Sequence, residues 1–311
     1  MDEEILRKLD ELVKMGKLTE EEKEEILKEI LDEESDKSSM EAFKGNYRRV
    51  SINIESQDVE IEGSDIDNVQ IEEGIDTVNI EEKGDELKIM SKLKVRLLPH
   101  FNFNKFISTI PTLKIKVPKE IDINIHTISG DVKVKGIKGK LSLKSLSGDT
   151  KIEEFEGDIK FDSTSGDLEL IKVKGDADFH LKSGDVNIRE CKIKGTLKTY
   201  SGDVRIEKSL IKGLNFNIFS GDIRARDILI EGNITGKTYH GDMNLSINSD
   251  NLSISLKTKR GDVKILKDGV REKISNKEVV IGEGKNKINL VSLSGDIKIF
   301  VKSHEQNYIK K

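Results

Sequence analysis

From residue 47 onward, apolar and polar side chains alternate in short runs broken by Gly and Asp. Val50-Ile52-Ile54, Val59-Ile61, Val69-Ile71, Val78-Ile80 and Leu87-Ile89 each keep a period of two, the pattern of half-buried strands. Leu113-Ile115-Val117-Pro118 and Ile121-Ile123-Ile125 continue it. The first 31 residues follow a different rhythm. Ile5, Leu9, Leu12 and Val13, and then Ile26, Leu27, Ile30 and Leu31, recur at helical spacing. Gly16 is placed to end one helix, and Thr19 with Glu22 makes a capping box for the next. The pattern predicts a helical hairpin over 3–31. It is too short to be stable alone, and polar residues follow it.

Past Ile125 a triplet sets the rhythm. Its Gly-Asp pairs are Gly130-Asp131, Gly148-Asp149, Gly166-Asp167, Gly184-Asp185, Gly202-Asp203, Gly221-Asp222, Gly241-Asp242, Gly261-Asp262 and Gly295-Asp296. Ser precedes Gly in seven; His240 and Arg260 replace it in two. The steps are 18, 18, 18, 18, 19, 20, 20 and 34 residues, a period that signals stacked repeats. Counted from Asp131, the apolar residues Val132, Val134, Ile137, Leu141, Leu143 and Leu146 fall at offsets 1, 3, 6, 10, 12 and 15. Each coil therefore reads as two nine-residue halves, each a short strand and a turn. Gly takes positive φ at the corner while Ser and Asp bond nearby N–H groups. A second glycine column (Gly139, Gly157, Gly175, Gly195, Gly213, Gly232) marks the opposite corner. Nine coils stacked in sequence order give a rod of about 40 Å. An antiparallel meander is the alternative, but the drift in coil length favours parallel coils.

Composition fits this reading. The chain has no Trp, few aromatics and three prolines, none after Pro118, as suits a solenoid with a thin aliphatic core. The net charge of -5 hides an asymmetry: residues 1–90 carry 29 acidic and 12 basic side chains, so the remainder is net basic. The asymmetry is either ordinary surface solvation behind an acidic helix or a basic array that meets an anionic partner or its own acidic end. A single cysteine rules out an internal disulfide framework. No apolar run has the length of a membrane span, and the N-terminus has no signal-peptide core.

Each candidate chemistry has a plain alternative. The Asp column evokes calcium-binding nonapeptide coils, but one Gly and one Asp per coil fit a corner better than a metal cage. At offset 2, six of nine outward residues are basic: Lys133, Lys151, Arg205, Arg224, Lys264 and Lys298. They would form a polyanion-tracking stripe, or else a solvated strand face. Phe101, Phe103 and Phe106 form either a plug over the first coil or an exposed membrane or partner contact. Cys191 falls at a core offset beside Ile137, Phe155 and Val173, and the five His have no metal-ligand spacing.

The run from Leu113 through Val117-Pro118 and Ser129-Gly130-Asp131 to Val134 resembles the bacterial "putative adhesin" domain-of-unknown-function family of β-strand repeat proteins. The resemblance covers about residues 47–301. The hairpin around Leu12-Val-Lys-Met-Gly-Lys-Leu-Thr-Glu resembles the SHOCT-like module preceding that domain in envelope-stress proteins of the LiaX and YvlB type. The resemblance implies a non-enzymatic role at the cell envelope and brings no catalytic residues.

The sequence thus predicts a mainly β protein, a parallel β-solenoid of about 18–20 residues per coil behind a short helical hairpin. The hairpin spans 1–31, a linker 32–45 and the solenoid 46–301. Within the solenoid, 46–125 are N-terminal cap strands, 126–266 regular coils and 267–301 an insertion with the C-terminal cap; a tail covers 302–311. The expected function is a non-enzymatic scaffold in envelope stress sensing or surface binding. A carbohydrate-active β-helix and a self-stacking structural polymer are the alternatives. No cofactor or metal is expected. Partners would be a protein or second copy bound through 3–31, or an anionic polymer or lipid surface, with nucleic acid disfavoured. Residence is cytoplasmic by default, with peripheral or surface association as the other outcome.

Overall fold

In the computed structural model of the chain, the residues described are 23, 40–92, 111–267, 270–273 and 278–302, the backbone alone at 270–273 and 278. The predicted hairpin (beyond Lys23), most of the linker, the Phe101–Phe103–Phe106 segment and the tail beyond 302 lie outside these residues. The rest is a parallel β-solenoid. Each rung contributes one strand to a long-strand sheet and one to a short-strand sheet. Typical rungs are Lys138–Ser145 with Thr150–Glu153, Glu156–Ser163 with Leu168–Ile171, and Lys174–Ser183 with Val186–Arg189. Successive rungs pair in parallel, with residues one coil apart in register, as in Leu141↔Ile159 and Ile152↔Leu170.

Alternation decides what is inside. Val132 and Val134 from one sheet and Leu141 and Leu143 from the other are buried, and Ile137, Phe155, Val173 and Cys191 fill the corner between them. Burial lifts the Cys191 thiol to about 11; its sulfur sits 3.3 Å from the Val173 N–H and 3.1 Å from the Arg189 carbonyl. It is a packing residue.

The order of rungs in space departs from the order in sequence at both ends. At the N-terminal end, Arg49–Ser56 and Val59–Ser64 form the second rung, paired in parallel with Asp122–Ser129 and Val132–Lys135. The outermost rung is made later in the chain, by Glu86–Ser91 and Leu113–Pro118. The C-terminal end mirrors this. After Asn233–His240 and Met243–Asn248, the chain skips one level and builds the outermost rung from Leu252–Arg260 and Val263–Lys267. It then returns to fill the gap with Asn286–Ser294 and Ile297–Lys302. The 34-residue step is thus a change of order, where sequence suggested an insertion before a terminal coil. Among the described residues there are eleven rungs, a stack of about 50 Å at the usual strand spacing.

Both end rungs are covered by antiparallel strands. Val78–Lys83 pairs Glu86–Ser91, and Val69–Glu73 pairs Leu113–Pro118, with Glu41–Phe43 outside it. At the other end, Glu278–Ile281 pairs Leu252–Ser255 and Val270–Lys273 pairs Lys264–Lys267. A polymer grown by end-to-end stacking of parallel rungs needs bare ends, and these strands occupy them.

Candidate functional site

Three columns run along the rod, and they separate what holds the coil from what faces outward. The first is the triplet. Its nine glycines have φ between +106° and +144°, and a Cβ on any would sit 2.0–2.4 Å from the carbonyl oxygen of the rung beneath. Backbone passes over backbone here, so only glycine fits. Each Asp Oδ1 accepts the N–H of the Asp one rung on: Asp131 to Asp149, Asp149 to Asp167 and Asp167 to Asp185, all at 2.8 Å. The chain of bonds continues through Asp203, Asp222, Asp242, Asp296 and finally Asp262, following spatial order. It begins one rung earlier than the triplets do, at Asp58, whose Oδ1 accepts from the Asp131 N–H. Asp58 lacks the Ser-Gly prefix; the Val59-Glu60-Ile61 that follows it is the available signal.

The second glycine column does not form the opposite corner. Gly139 and Gly157 lie inside the long strands, paired in register. The turn itself is made three to five residues earlier, by Gly136 (φ +70°) and then by Glu154, Lys172, Glu190, Lys208 and Asp227 at φ of +49° to +55°. Five non-glycine residues hold the left-handed conformation there.

The offset-2 side chains point outward from the short-strand sheet, and all six basic ones are ion-paired. Arg205 bridges Asp185 (2.8 Å) and Asp203 (3.2 Å); Arg224 bridges Asp203 (2.9 Å) and Asp222 (2.7 Å). Lys151 meets Glu153 and Glu169, Lys133 meets Glu60, Lys264 meets Asp262 and Lys298 meets Asp296. A stripe of free positive charge is therefore not what these residues form. They are bound to the free oxygens of the Asp column or to glutamates beside it.

These contacts set a pH dependence. Burial works to raise Asp185, but the Arg205 pair and the Asp203 N–H outweigh it and hold its carboxyl below the usual range. The Asp262 N–H, with Lys298, lowers Asp296. A carboxyl depressed in the fold stabilises it fully above the unfolded value near ~3.9, and the gain is lost as pH falls through the folded value. We expect Asp185→Asn/Asp296→Asn to unfold more easily than the native chain at pH 7, by about 1 kcal/mol or less. That gap should close as pH drops below about 4. Urea midpoints against pH check this; a gap independent of pH counts against it.

The long-strand sheet presents the third column, which includes Leu146, the apolar offset-15 residue of the first coil. The residue before the triplet, at offset 15 in the 18-residue coils, points out, while the one preceding it (Thr127, Ser145, Ser163, Leu181, Thr199, Ile218, Thr238, Ser292) points in. Ser145 is buried and donates to the Ser147 carbonyl at 2.9 Å, whereas Leu146 is 53% exposed. The outward column runs Ile128, Leu146, Thr164, Lys182, Tyr200, Phe219, Tyr239 and Leu293. Tyr200 and Phe219 stack at 4.6 Å with planes 4° apart, and Tyr239 follows at 5.2 Å from Phe219. Lys237 lies 4.4 Å over the Tyr239 ring. Tyr200 remains 61% exposed. Beside it a hollow of about 670 Å³ opens toward Lys144, Asp162, His180 and Lys182.

The lysines of this face differ from those opposite. Lys144, Lys160, Lys182, Lys198, Lys257 and Lys259 are exposed, and none pairs with a carboxylate among the described residues. His180 lies 3.2 Å from Asp162 and Lys194 4.0 Å from Asp176 on this face, which also carries exposed Asp158 and Asp178. No cluster of His, Cys, Asp and Glu among the described residues is placed to hold a metal ion, and no helix there is long and apolar enough to cross a membrane.

A family model for Toastrack DUF4097 matches residues 47–300. The chain belongs to this family. Its match begins after the predicted hairpin, and a search of curated proteins finds no match. Solved structures similar to this chain include three bacterial proteins. A "putative adhesin" of Bacteroides fragilis has TM-score 0.36 and 12% identity, covering 86% of this chain and 97% of that one. A "putative lipid binding protein" of Parabacteroides distasonis has 0.36 and 16%, covering 84% and 96%. A "putative cell adhesion protein" of Clostridium sporogenes has 0.19 and 16%, covering 86% and 100%. Likeness at this level says nothing about a ligand of this Toastrack chain.

Proposed function

We propose that this Toastrack protein is a non-enzymatic interaction rod of the bacterial cell envelope, and that its long-strand face rests on an anionic lipid surface. The carrying observation is the difference between the two faces. On the short-strand face the offset-2 basic residues are consumed by ion pairs. On the long-strand face Lys144, Lys182, Lys198 and Lys257, with no carboxylate partner among the described residues, flank an exposed stripe of Ile, Leu, Phe and Tyr. Aromatic rings with a polar tip and lysines with apolar stems are suited to the headgroup boundary. Each lysine near an anionic surface adds about 1 kcal/mol. The apolar stripe supplies the contact that pure charge lacks.

Co-sedimentation of the full chain with vesicles tests this. Binding is expected to phosphatidylcholine vesicles containing phosphatidylglycerol and not to phosphatidylcholine alone, weakening steeply in high salt. Tyr200→Ser/Phe219→Ser/Tyr239→Ser should cost about tenfold or more, since each ring buries apolar area on contact. Arg205→Ser/Arg224→Ser should leave binding unchanged. Equal binding to both vesicle types sinks the reading.

A further inference from the structure

We infer that the hollow beside Tyr200 is a headgroup site for a phosphodiester carrying a free vicinal diol, the headgroup of phosphatidylglycerol. The lipid source rests on the reading above; the chemistry of the hollow does not. The site sits where the apolar stripe is interrupted. Leu146 and Tyr200 stand three rungs apart in the outward column, about 14 Å at the usual strand spacing, and Thr164 and Lys182 occupy the two rungs between. Phe219 covers one face of the Tyr200 ring at 4.6 Å, yet Tyr200 remains 61% exposed and borders the hollow of about 670 Å³. The gap leaves room for one polar headgroup between two apolar contacts with the surface.

The column beside this gap carries the polar chemistry. Lys144, Asp162, His180 and Lys198 pair in register on four successive rungs, and all four line the hollow together with Lys182. The three lysines have no carboxylate partner among the described residues. They suit a phosphate as point charges on flexible stems. Asp162 is the carboxylate of the lining. Glu156, Asp158, Asp176 and Asp178 stand earlier on the strands, outside it, and Asp176 meets Lys194.

Asp162 decides which phosphate. A carboxylate among lysines weakens the site for a bare phosphate and favours an anion that also donates hydrogen bonds. Its Oδ1 lies 3.2 Å from His180 Nδ1. With Nδ1–H donating there, Nε2 is left as an acceptor, and Asp162 keeps a second oxygen. Two acceptors on one bonded pair match two neighbouring hydroxyls. An ammonium, as in a serine or ethanolamine headgroup, would have to enter among Lys144, Lys182 and Lys198 against like charge. The carbon edge of the diol then rests on the open face of Tyr200.

The test compares two lipids of equal charge. The full chain is titrated with phosphatidylcholine vesicles containing the same fraction of phosphatidylglycerol or of phosphatidylserine. Phosphatidylglycerol should bind about fivefold tighter or more, the worth of one or two hydrogen bonds. Asp162→Ala/His180→Ala should bring it down to the phosphatidylserine level and leave phosphatidylserine binding no weaker. His180 and Asp162 are 45% and 34% exposed as side chains, so this variant keeps the fold, which an unchanged urea midpoint checks. Glycerophosphoglycerol, the headgroup without acyl chains, should release the native chain from the vesicles where glycerophosphoserine does not. Equal affinity for the two lipids, or a preference that survives the substitutions, overturns the inference and leaves the lipid reading standing. A chain that ignores both vesicle types yet binds glycerophosphoglycerol through Asp162 and His180 removes the lipid reading and keeps the chemistry of the hollow, with a soluble glycerol phosphate as its source. Binding to neither removes both.

Discussion

Gly202→Ala loses about 3–5 kcal/mol of folding stability, a large part of what a domain has. The added Cβ would sit 2.0 Å from the Gly184 carbonyl oxygen and 2.6 Å from its carbon. Those are backbone atoms fixed by hydrogen bonds: the Gly184 N–H donates to Ser201 at 3.1 Å, and the Gly202 N–H donates to Ser220 at the same distance. Neither rung can withdraw without breaking the Asp column beside it, where Asp203 donates to Asp185 at 2.8 Å. Overpacking of this kind costs about 1–3 kcal/mol and more where relaxation is blocked. A φ of +133° adds backbone strain of about 1–3 kcal/mol for any side chain. Lower entropy of the unfolded chain returns at most about 1 kcal/mol. Gly84→Ala is the matched control. Its φ is +63° and a Cβ there meets nothing within 4 Å, so only the left-handed penalty of about 1–2 kcal/mol applies. Urea unfolding of both variants checks this. A Gly202→Ala midpoint no lower than that of Gly84→Ala means the corners are looser than described.

That contrast also shows what was legible in the sequence. The corner must be glycine because backbones cross there, so its spacing was visible as a repeat, and with it the parallel solenoid. Asp58 was invisible because Gln57 stands where the other rungs carry glycine. In the sequence Leu146 at offset 15 counts among the apolar positions, since it follows Ile137 by one nine-residue half-repeat, yet in the fold it points out. The two corners differ in geometry: after one, the buried position is Ile137, and before the other it is Ser145. A strict half-repeat cannot anticipate that shift, and it conceals the aromatic stripe. The offset-2 side chains were placed outward by alternation, yet their pairing was hidden. Arg205 and Asp185 are 20 residues apart in sequence and become neighbours only when rungs stack in register.

Rung order was illegible for a related reason. Every short strand carries the same Val-x-Ile type of pattern, so any rung fits on any other and the alternation cannot say which neighbours which. What selects the order is the chain between. Residues 249–251 suffice to step from Asn248 past one level to Leu252, and the return segment closes the gap. At the N-terminal end a late-made rung lies outside an early one, at the C-terminal end an early-made rung lies outside a late one, and in both cases the terminal rung gains a covering strand from the adjoining loop. Capping and rung exchange are one solution to the edge problem.

A chain ending at residue 285 should therefore fail to reach the native fold, where loss of a terminal coil would only shorten a sequential array. Asn286–Ser294 is paired on both sides, to Asn233–His240 and to Leu252–Arg260, and Ile297–Lys302 likewise joins Met243–Asn248 to Val263–Lys267. In a one-dimensional array, removing an end repeat costs one interface. Removing this one costs two and leaves the outermost rung and its antiparallel cover with no neighbour. It also deletes Ile288, Leu290, Ile297, Ile299 and Val301, all essentially fully buried. At about 1.5–3 kcal/mol each, their loss approaches the whole stability of a typical domain. The exposed parallel edges left behind are aggregation templates, so the truncated chain should appear in the insoluble fraction. Ile299→Asp in the full chain separates loss of the rung from loss of length, since it places an unpaired charge between two rungs and should destabilise by several kcal/mol. Soluble expression and urea midpoints of both chains measure the effect. A truncated chain that stays soluble and unfolds near the native midpoint would show that the final rung is a dispensable end, and with it that the exchange of rungs does not hold the C-terminal cap.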